Sequence, residues 1–187
     1  MKKSLILFCA IAFLIMPGCK KEKADNTDQY KAMVNQIFDL AMCWQFTPNP
    51  VKGSAPINES IDQIVEDGCG GYVHTTGSVT GAVYWDDETG QVTKATAWPQ
   101  YHISYVNYGS CGNCPINGDP YLTITGYFHF GPGPVCLLQN DSYLRIGGGF
   151  KDCNNSWSFN LYIALNPNGT IQYVSGWIND DIVYWEP

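Results

Sequence analysis

Residues 121–128 read YLTITGYF, and looser copies of this octet return at 72–79 (YVHTTGSV), 143–150 (YLRIGGGF) and 171–178 (IQYVSGWI). In all four the sixth place is glycine and the eighth is apolar. β-Branched and aromatic residues recurring at period two mark strands. Side chains of a strand alternate between its two faces. Beside the glycines the even places hold Val73, Thr75 and Val79, then Leu122, Ile124 and Phe128, then Leu144, Ile146 and Phe150, then Gln172, Val174 and Ile178, mostly apolar, which predicts a core face. The odd places hold Tyr72, His74, Thr76, Ser78, Tyr121, Thr123, Thr125, Tyr127, His129, Tyr143, Arg145, Tyr173, Ser175 and Trp177. That second face is polar yet crowded with rings. Glycine weakens a strand interior, so its recurrence predicts a bend, or room for a bulky ring from a facing layer, ahead of a ligand approaching the backbone.

Outward from the octets the chain from residue 70 on reads as β. Residues 72–85 run into the turn DDETG at 86–90, and 91–108 return, with Pro99 predicting a bulge or an edge position. A loop over 109–120 and a GPGP turn at 131–134 flank the central octet. Residues 157–165 alternate cleanly, and NPNG at 166–169 closes a hairpin into the last octet, with 182–185 a short final strand. The expected fold is mainly β, an antiparallel meander forming a barrel or a sandwich. Before it, Tyr30, Met33, Val34, Ile37, Ala41 and Trp44 follow helical spacing. They predict one N-terminal amphipathic helix over about 27–45, stopped before Pro48 and packed on the sheet. Residues 46–56, with three prolines, read as loop, and 57–65 fit either a short helix or a strand.

The chain opens Met-Lys-Lys, continues apolar over 5–16 and reaches Pro17-Gly18-Cys19. A basic start and a short apolar run predict a secretory signal peptide over 1–18. Gly18-Cys19 resembles the lipobox of bacterial lipoproteins. The resemblance covers the first 19 residues and implies cleavage before Cys19, diacylglycerol on its sulfur and anchorage without spanning. Lys20 after the cysteine, by the same resemblance, implies the outer membrane, on its periplasmic or its surface side. The alternative is an ordinary signal peptide cut nearby. The Gly-Gly-Tyr-Val and Thr-Gly-Ser-Val strands also resemble those of secreted β-rich lipoproteins, a resemblance that implies no activity. Residues 19–28 are charged and apolar-poor and read as a tether, leaving 29–187 as a single domain.

The net charge is −7, and cleavage removes Lys2 and Lys3 and no acid, leaving 8 basic against 17 acidic residues, or −9. Phosphate neutralisation needs clustered Lys and Arg, so nucleic acid is an unsuitable partner. Cys9 leaves with the signal and Cys19 takes the lipid, leaving Cys43, Cys69, Cys111, Cys114, Cys136 and Cys153. An even count in an oxidising compartment favours disulfides, and six cysteines permit 15 pairings. In an up-and-down meander Cys69, Cys111, Cys114 and Cys153 all fall at one end of the sheet. The expected bridges are Cys69 to Cys111 and Cys114 to Cys153, with Cys43 to Cys136 remaining. Zinc held by the four clustered thiolates, or a redox pair at Cys111 and Cys114, are the competing readings. The oxidising compartment disfavours the first, and the Pro/Gly turns in place of a helix start disfavour the second.

The ring-bearing face is the main functional lead. Tyr72, Tyr121, Tyr127, Tyr143, Tyr173 and Trp177 make an amphipathic surface that can stack on sugar rings or anchor a protein. The bland alternative is that cross-strand Tyr and Thr pairs only stabilise the sheet. His74, His102 and His129 all fall on strands, and their convergence would serve a metal-dependent enzyme or an envelope hydrolase. Isolated surface histidines are the simpler expectation. No G-x-S-x-G, phosphate-loop, H-E-x-x-H or EF-hand pattern occurs, so neither catalytic residues, metal ligands nor a cofactor are assigned. The expectation is a lipid-anchored, non-enzymatic envelope protein that binds a glycan or a protein. The alternatives are an enzyme using the histidines and a purely structural envelope component.

Overall fold

A computed structural model describes residues 27–42, 53–109, 111–112, 114–118, 121–132, 137–153 and 155–187. The signal and lipidation segment with Cys19, and the cysteines Cys43 and Cys136, lie outside the described residues. The chain forms two compact units, Met1–Asp39 and Leu40–Pro187. Nearly all of helix α1 (Thr27–Ala41) belongs to the first. Its buried residues Tyr30, Val34, Ile37, Phe38 and Ala41 recur at the spacing of one helical face. Asp28 in the first turn complements the positive end of the helix dipole. The helix stops four residues short of the expected 45, since Met42 already turns; the ends of helices are the part that periodicity fixes least.

The second unit is one antiparallel sheet. Its strands are β1 (Ser54–Glu66), β2 (Tyr72–Trp85), β3 (Val92–Val106), β4 (Ile116–Asn117), β5 (Leu122–Phe130), β6 (Tyr143–Asp152), β7 (Asn155–Leu165), β8 (Ile171–Ile178) and β9 (Asp181–Trp185). They lie in the order β1-β2-β3-β5-β6-β7-β8-β9, with the two-residue β4 beside β6. Apart from β4, neighbours in sequence are neighbours in space, which is a meander. All four octets lie in this sheet, on β2, β5, β6 and β8. Its ends are not joined: β1 pairs with β2 alone and β9 with β8 alone. The meander is therefore an open sheet and not a barrel, and no second sheet exists among the described residues to make a sandwich.

Three local expectations change. Residues 54–56 are strand, not loop, and 57–65 continue them as β1 in unbroken register with β2. Pro56 has no N–H to donate, and it is tolerated because β1 is an edge strand. Pro99 lies neither at a bulge nor on an edge strand. It pairs with Val79 on the β2 side, while the ladder to β5 skips from Ala97–Phe128 to Gln100–Thr125 without changing register. The loop over 109–120 contains β4, tied to Tyr108 through Ile116 and to β6.

The inner face follows the octet. Val73, Val79, Leu122, Ile124, Phe128, Leu144, Ile146, Val174 and Ile178 are all buried, as are Tyr101 and Ile103 on β3 and Leu161 and Ile163 on β7. At about 25 cal/mol per Å² of apolar surface removed from water, this face dominates the stability of the unit. Gly77 explains one octet glycine. It pairs with Tyr101, and a Cβ there would collide with the Tyr101 backbone and Cβ. The room is made for a residue of the adjacent strand, not for a facing layer. At one end of the sheet Cys69–Cys111 and Cys114–Cys153 are bridged, with Cα separations of 5.5 and 5.1 Å that suit disulfides. Asp67 gathers the same end, accepting hydrogen bonds from the backbone N–H groups of Cys69, Gly71 and Gly109.

Candidate functional site

The outer face is organised by register. One straight row crosses eight strands: Ser60, Ser78, Gln100, Thr125, Arg145, Tyr162, Ser175 and Tyr184 pair in succession from β1 to β9. A second row holds Thr80 opposite Trp98, Tyr127 opposite Tyr143, and Ala164 between Tyr143 and Tyr173. Rings drawn from both rows touch in an unbroken ladder. Trp98 lies 5.5 Å from Tyr127, Tyr127 6.3 Å from Tyr143, and Tyr143 5.2 Å from Tyr162. Tyr162 to Tyr173 and Tyr173 to Tyr184 are each 6.0 Å. From Tyr143 on, the ladder zigzags between the rows, because strand pairing brings small Ala164 and Ser175 opposite the rings and leaves diagonal neighbours to meet.

The ladder rings spend part of their surface on one another. Tyr143 and Tyr162 stack at 25°, and the middle rings are half-buried. Thr125 and Ser175 lie in the straight row among them. The ends are barer: Trp98 is 47% exposed and Tyr184 64%. Partial burial and neighbouring negative charge hold the Tyr127 hydroxyl above the ordinary tyrosine range, Asp141 and Tyr143 adding to the burial. Burial and the adjacent Tyr173 and Tyr143 do the same for Tyr162. At Tyr184 the main cause is its hydrogen bond to the Glu186 carboxylate. These three phenols are therefore neutral donors at physiological pH, and Arg145 lies with its guanidinium carbon 5.7 Å from the centre of the Tyr143 ring.

Of the six residues expected in a ligand surface, Tyr127, Tyr143 and Tyr173 are in the ladder. Tyr121 is exposed and belongs to a separate pair, its ring edge-on to His102 at 4.7 Å. Tyr72 is half-buried on β2 and makes no ring contact among the described residues. Trp177 is exposed on β8, four residues beyond Tyr173 and so roughly 13 Å along the strand. It pairs with Ile182, also exposed. The octets omitted Trp98, Tyr162 and Tyr184, each on the outer parity of a strand that carries no octet.

The three histidines do not converge. Register puts His129 opposite Thr96, six residues along β3 from His102. Each has its own neighbour instead. The His74 Nε2 is 2.7 Å from Asp62 on β1, the His129 Nδ1 is 3.0 Å from Asp141, and His102 approaches the Thr123 hydroxyl. Among the described residues no three His, Cys, Asp or Glu side chains gather as a metal site would require. The cysteines of the clustered end are bridged in pairs, which uses the thiols that zinc or redox chemistry would need.

No protein-family model, curated protein or solved structure matches this chain.

Proposed function

We propose that this protein is a lipid-anchored component of the bacterial cell envelope that binds an extended glycan along the ring ladder and performs no chemistry on it. The single observation that carries the reading is the ladder itself: six rings from six strands, continuous from Trp98 to Tyr184, interleaved with Thr and Ser hydroxyls. A protein-binding surface places its energy in a desolvated apolar centre. Here the centre is half-buried rings tipped with hydroxyls, which suits a partner that is itself amphipathic and rich in hydroxyls. The anchor rests on Gly18-Cys19 and the apolar run before it, and the bridged cysteines fit a chain exported to an oxidising compartment.

A glycan-array screen of the exported protein, followed by titration calorimetry on the hits, tests the reading. Tyr127→Ala, which breaks the ladder between Trp98 and Tyr143, is expected to weaken binding about five- to tenfold, in line with one lost stacking contact of about 1–1.5 kcal/mol. Trp177→Ala, off the ladder, is expected to leave it within about twofold. A second reading, a protein partner at the β8–β9 edge, is favoured by the exposed Trp177–Ile182 pair. It predicts the reverse order of the two variants.

A further inference from the structure

We infer that the glycan is acidic and that Arg145 reads its carboxylate; this rests on the glycan-binding reading above and names the class of sugar. The first ground is where the charge lies. The chain carries 17 acids among 187 residues. Yet β2, β3, β5, β7 and β8 contain none, and β6 contains only its last residue, Asp152. Asp152 is turned to local use, accepting from the Trp157 ring N–H and the Asn155 backbone N–H. The remaining described acids stand on β1 (Glu59, Asp62, Glu66), on α1, in turns, and at β9 and the residues flanking it. Strands disfavour acids in general, but they disfavour Lys as well, and Lys94 and Lys151 lie at exposed positions on β3 and β6. The outer positions from β2 to β8 therefore carry rings, cations, histidines, hydroxyls and amides, in a protein whose net charge is −7, and the acids that reach the ladder, Asp141 by Tyr127 and Glu186 by Tyr184, stand beside its other rings and not beside Arg145.

The second ground is Arg145 itself, the sole arginine of the chain. It is exposed in the middle of the straight row, paired on one side with Thr125 and on the other with Tyr162. Among the described residues it makes no ion pair; the ion pairs there belong to His74 and His129. Its guanidinium lies over the Tyr143 ring, and its charge also reaches the Tyr162 hydroxyl. A cation–π contact engages the π-face of guanidinium and leaves the N–H fork free. That fork matches a carboxylate bidentately in a way that an ammonium does not. Thr125 and Ser175 in the same row, and the Tyr162 hydroxyl, stand where the hydroxyls of flanking sugars would lie. A row of neutral hydroxyls interrupted by one held guanidinium is the complement of a sugar chain that carries a carboxylate among its hydroxyls.

The test compares four probes by titration calorimetry: a galacturonate oligomer, a neutral hexose oligomer of equal length, a sulfated polysaccharide, and the uronate oligomer again at raised salt. Wild type, Arg145→Gln and Arg145→Lys are each titrated, with thermal unfolding as the control for folding. The expected result is uronate binding at least about tenfold tighter than neutral binding, in line with one charged hydrogen-bonded pair. Arg145→Gln should abolish that margin without changing the unfolding temperature, Arg145→Lys should restore only part of it, and raised salt should narrow it. Equal binding of neutral and uronate oligomers, or an unchanged margin in Arg145→Gln, overturns the inference while the glycan reading stands. Binding of the sulfated polymer alone overturns the carboxylate assignment. Binding of no glycan by wild type overturns the glycan reading and this inference with it.

Discussion

Within β5, Leu122, Ile124 and Phe128 are sealed from solvent, while Thr123, Thr125 and Tyr127 between them stand half-open on the opposite face. One peptide bond separates a residue that holds the sheet together from one that meets the outside. The inner face gains from hydrocarbon leaving water, which is insensitive to the identity of a ligand. The outer face gains little from each pair, about 0.2–1 kcal/mol per cross-strand contact. Its value lies in the order of the groups along a row. Period-two alternation thus lets a single segment serve stability and recognition with little trade-off, and substitutions on the two faces should separate the two properties.

The strongest break of that separation comes from neighbouring substitutions. Phe128→Ala is expected to cost about 3–5 kcal/mol of unfolding free energy by denaturant titration. Tyr127→Ala should cost about 1 kcal/mol or less, yet carry the loss of binding. Comparable destabilisation by the two would mean that the ladder is a structural brace and the outer face has no separate role. A somewhat smaller effect sharpens the comparison from the end of the sheet. Replacing both Cys69 and Cys111 by Ser opens a link across a sequence separation of 42 and should cost about 2–4 kcal/mol. Because that bridge lies away from the ladder, ligand affinity of the folded fraction should be unchanged; a parallel loss of affinity would show that the bridged end shapes the outer face.

The inner face was legible because burial imposes a rule on every second residue, and four octets repeat it. The cysteine pairs Cys69–Cys111 and Cys114–Cys153 were legible for a related reason: in a meander, position along the chain decides which end of the sheet a residue reaches. The outer face was only half legible. Parity alone placed Tyr127, Tyr143 and Tyr173 on it, but contact between rings depends on register, and register is a property of pairs of strands. Tyr162 sits in the clean alternation of 157–165 with Ser158 and Asn160, and extending the parity count from the octets to that strand, to Trp98 and to Tyr184 would have completed the ladder. The same dependence on register defeated the histidines. His102 and His129 share the outer parity of neighbouring strands, and still lie six residues apart along β3 once the strands are aligned. Open edges against closure of the sheet could not be read either, since β1 and β9 bear no mark of what they pair with.

The smallest effect distinguishes the faces by their tyrosines. Tyr105, on the inner side of β3, is pushed far above the ordinary tyrosine range, chiefly by burial and then by Tyr108. Tyr127, Tyr162 and Tyr184 on the ladder are also raised, but they reach solvent. A phenol whose ionisation is raised in the folded chain contributes stability that is complete below the ordinary value of about 10 and drains away as pH climbs through the raised value. Followed by phenolate absorbance, the hydroxyls of Tyr127, Tyr162 and Tyr184 should ionise reversibly above pH about 10 with the sheet still folded. Tyr105 should ionise only together with unfolding, because its anion would have to form in the apolar interior. Tyr105→Phe removes that route and should move the alkaline unfolding transition to higher pH, whereas Tyr162→Phe should remove one reversible step and move the transition less. A Tyr105 that titrates reversibly in the folded protein would show that water reaches the inner face of β3, and the division between a sealed face and an open one would fail at that strand.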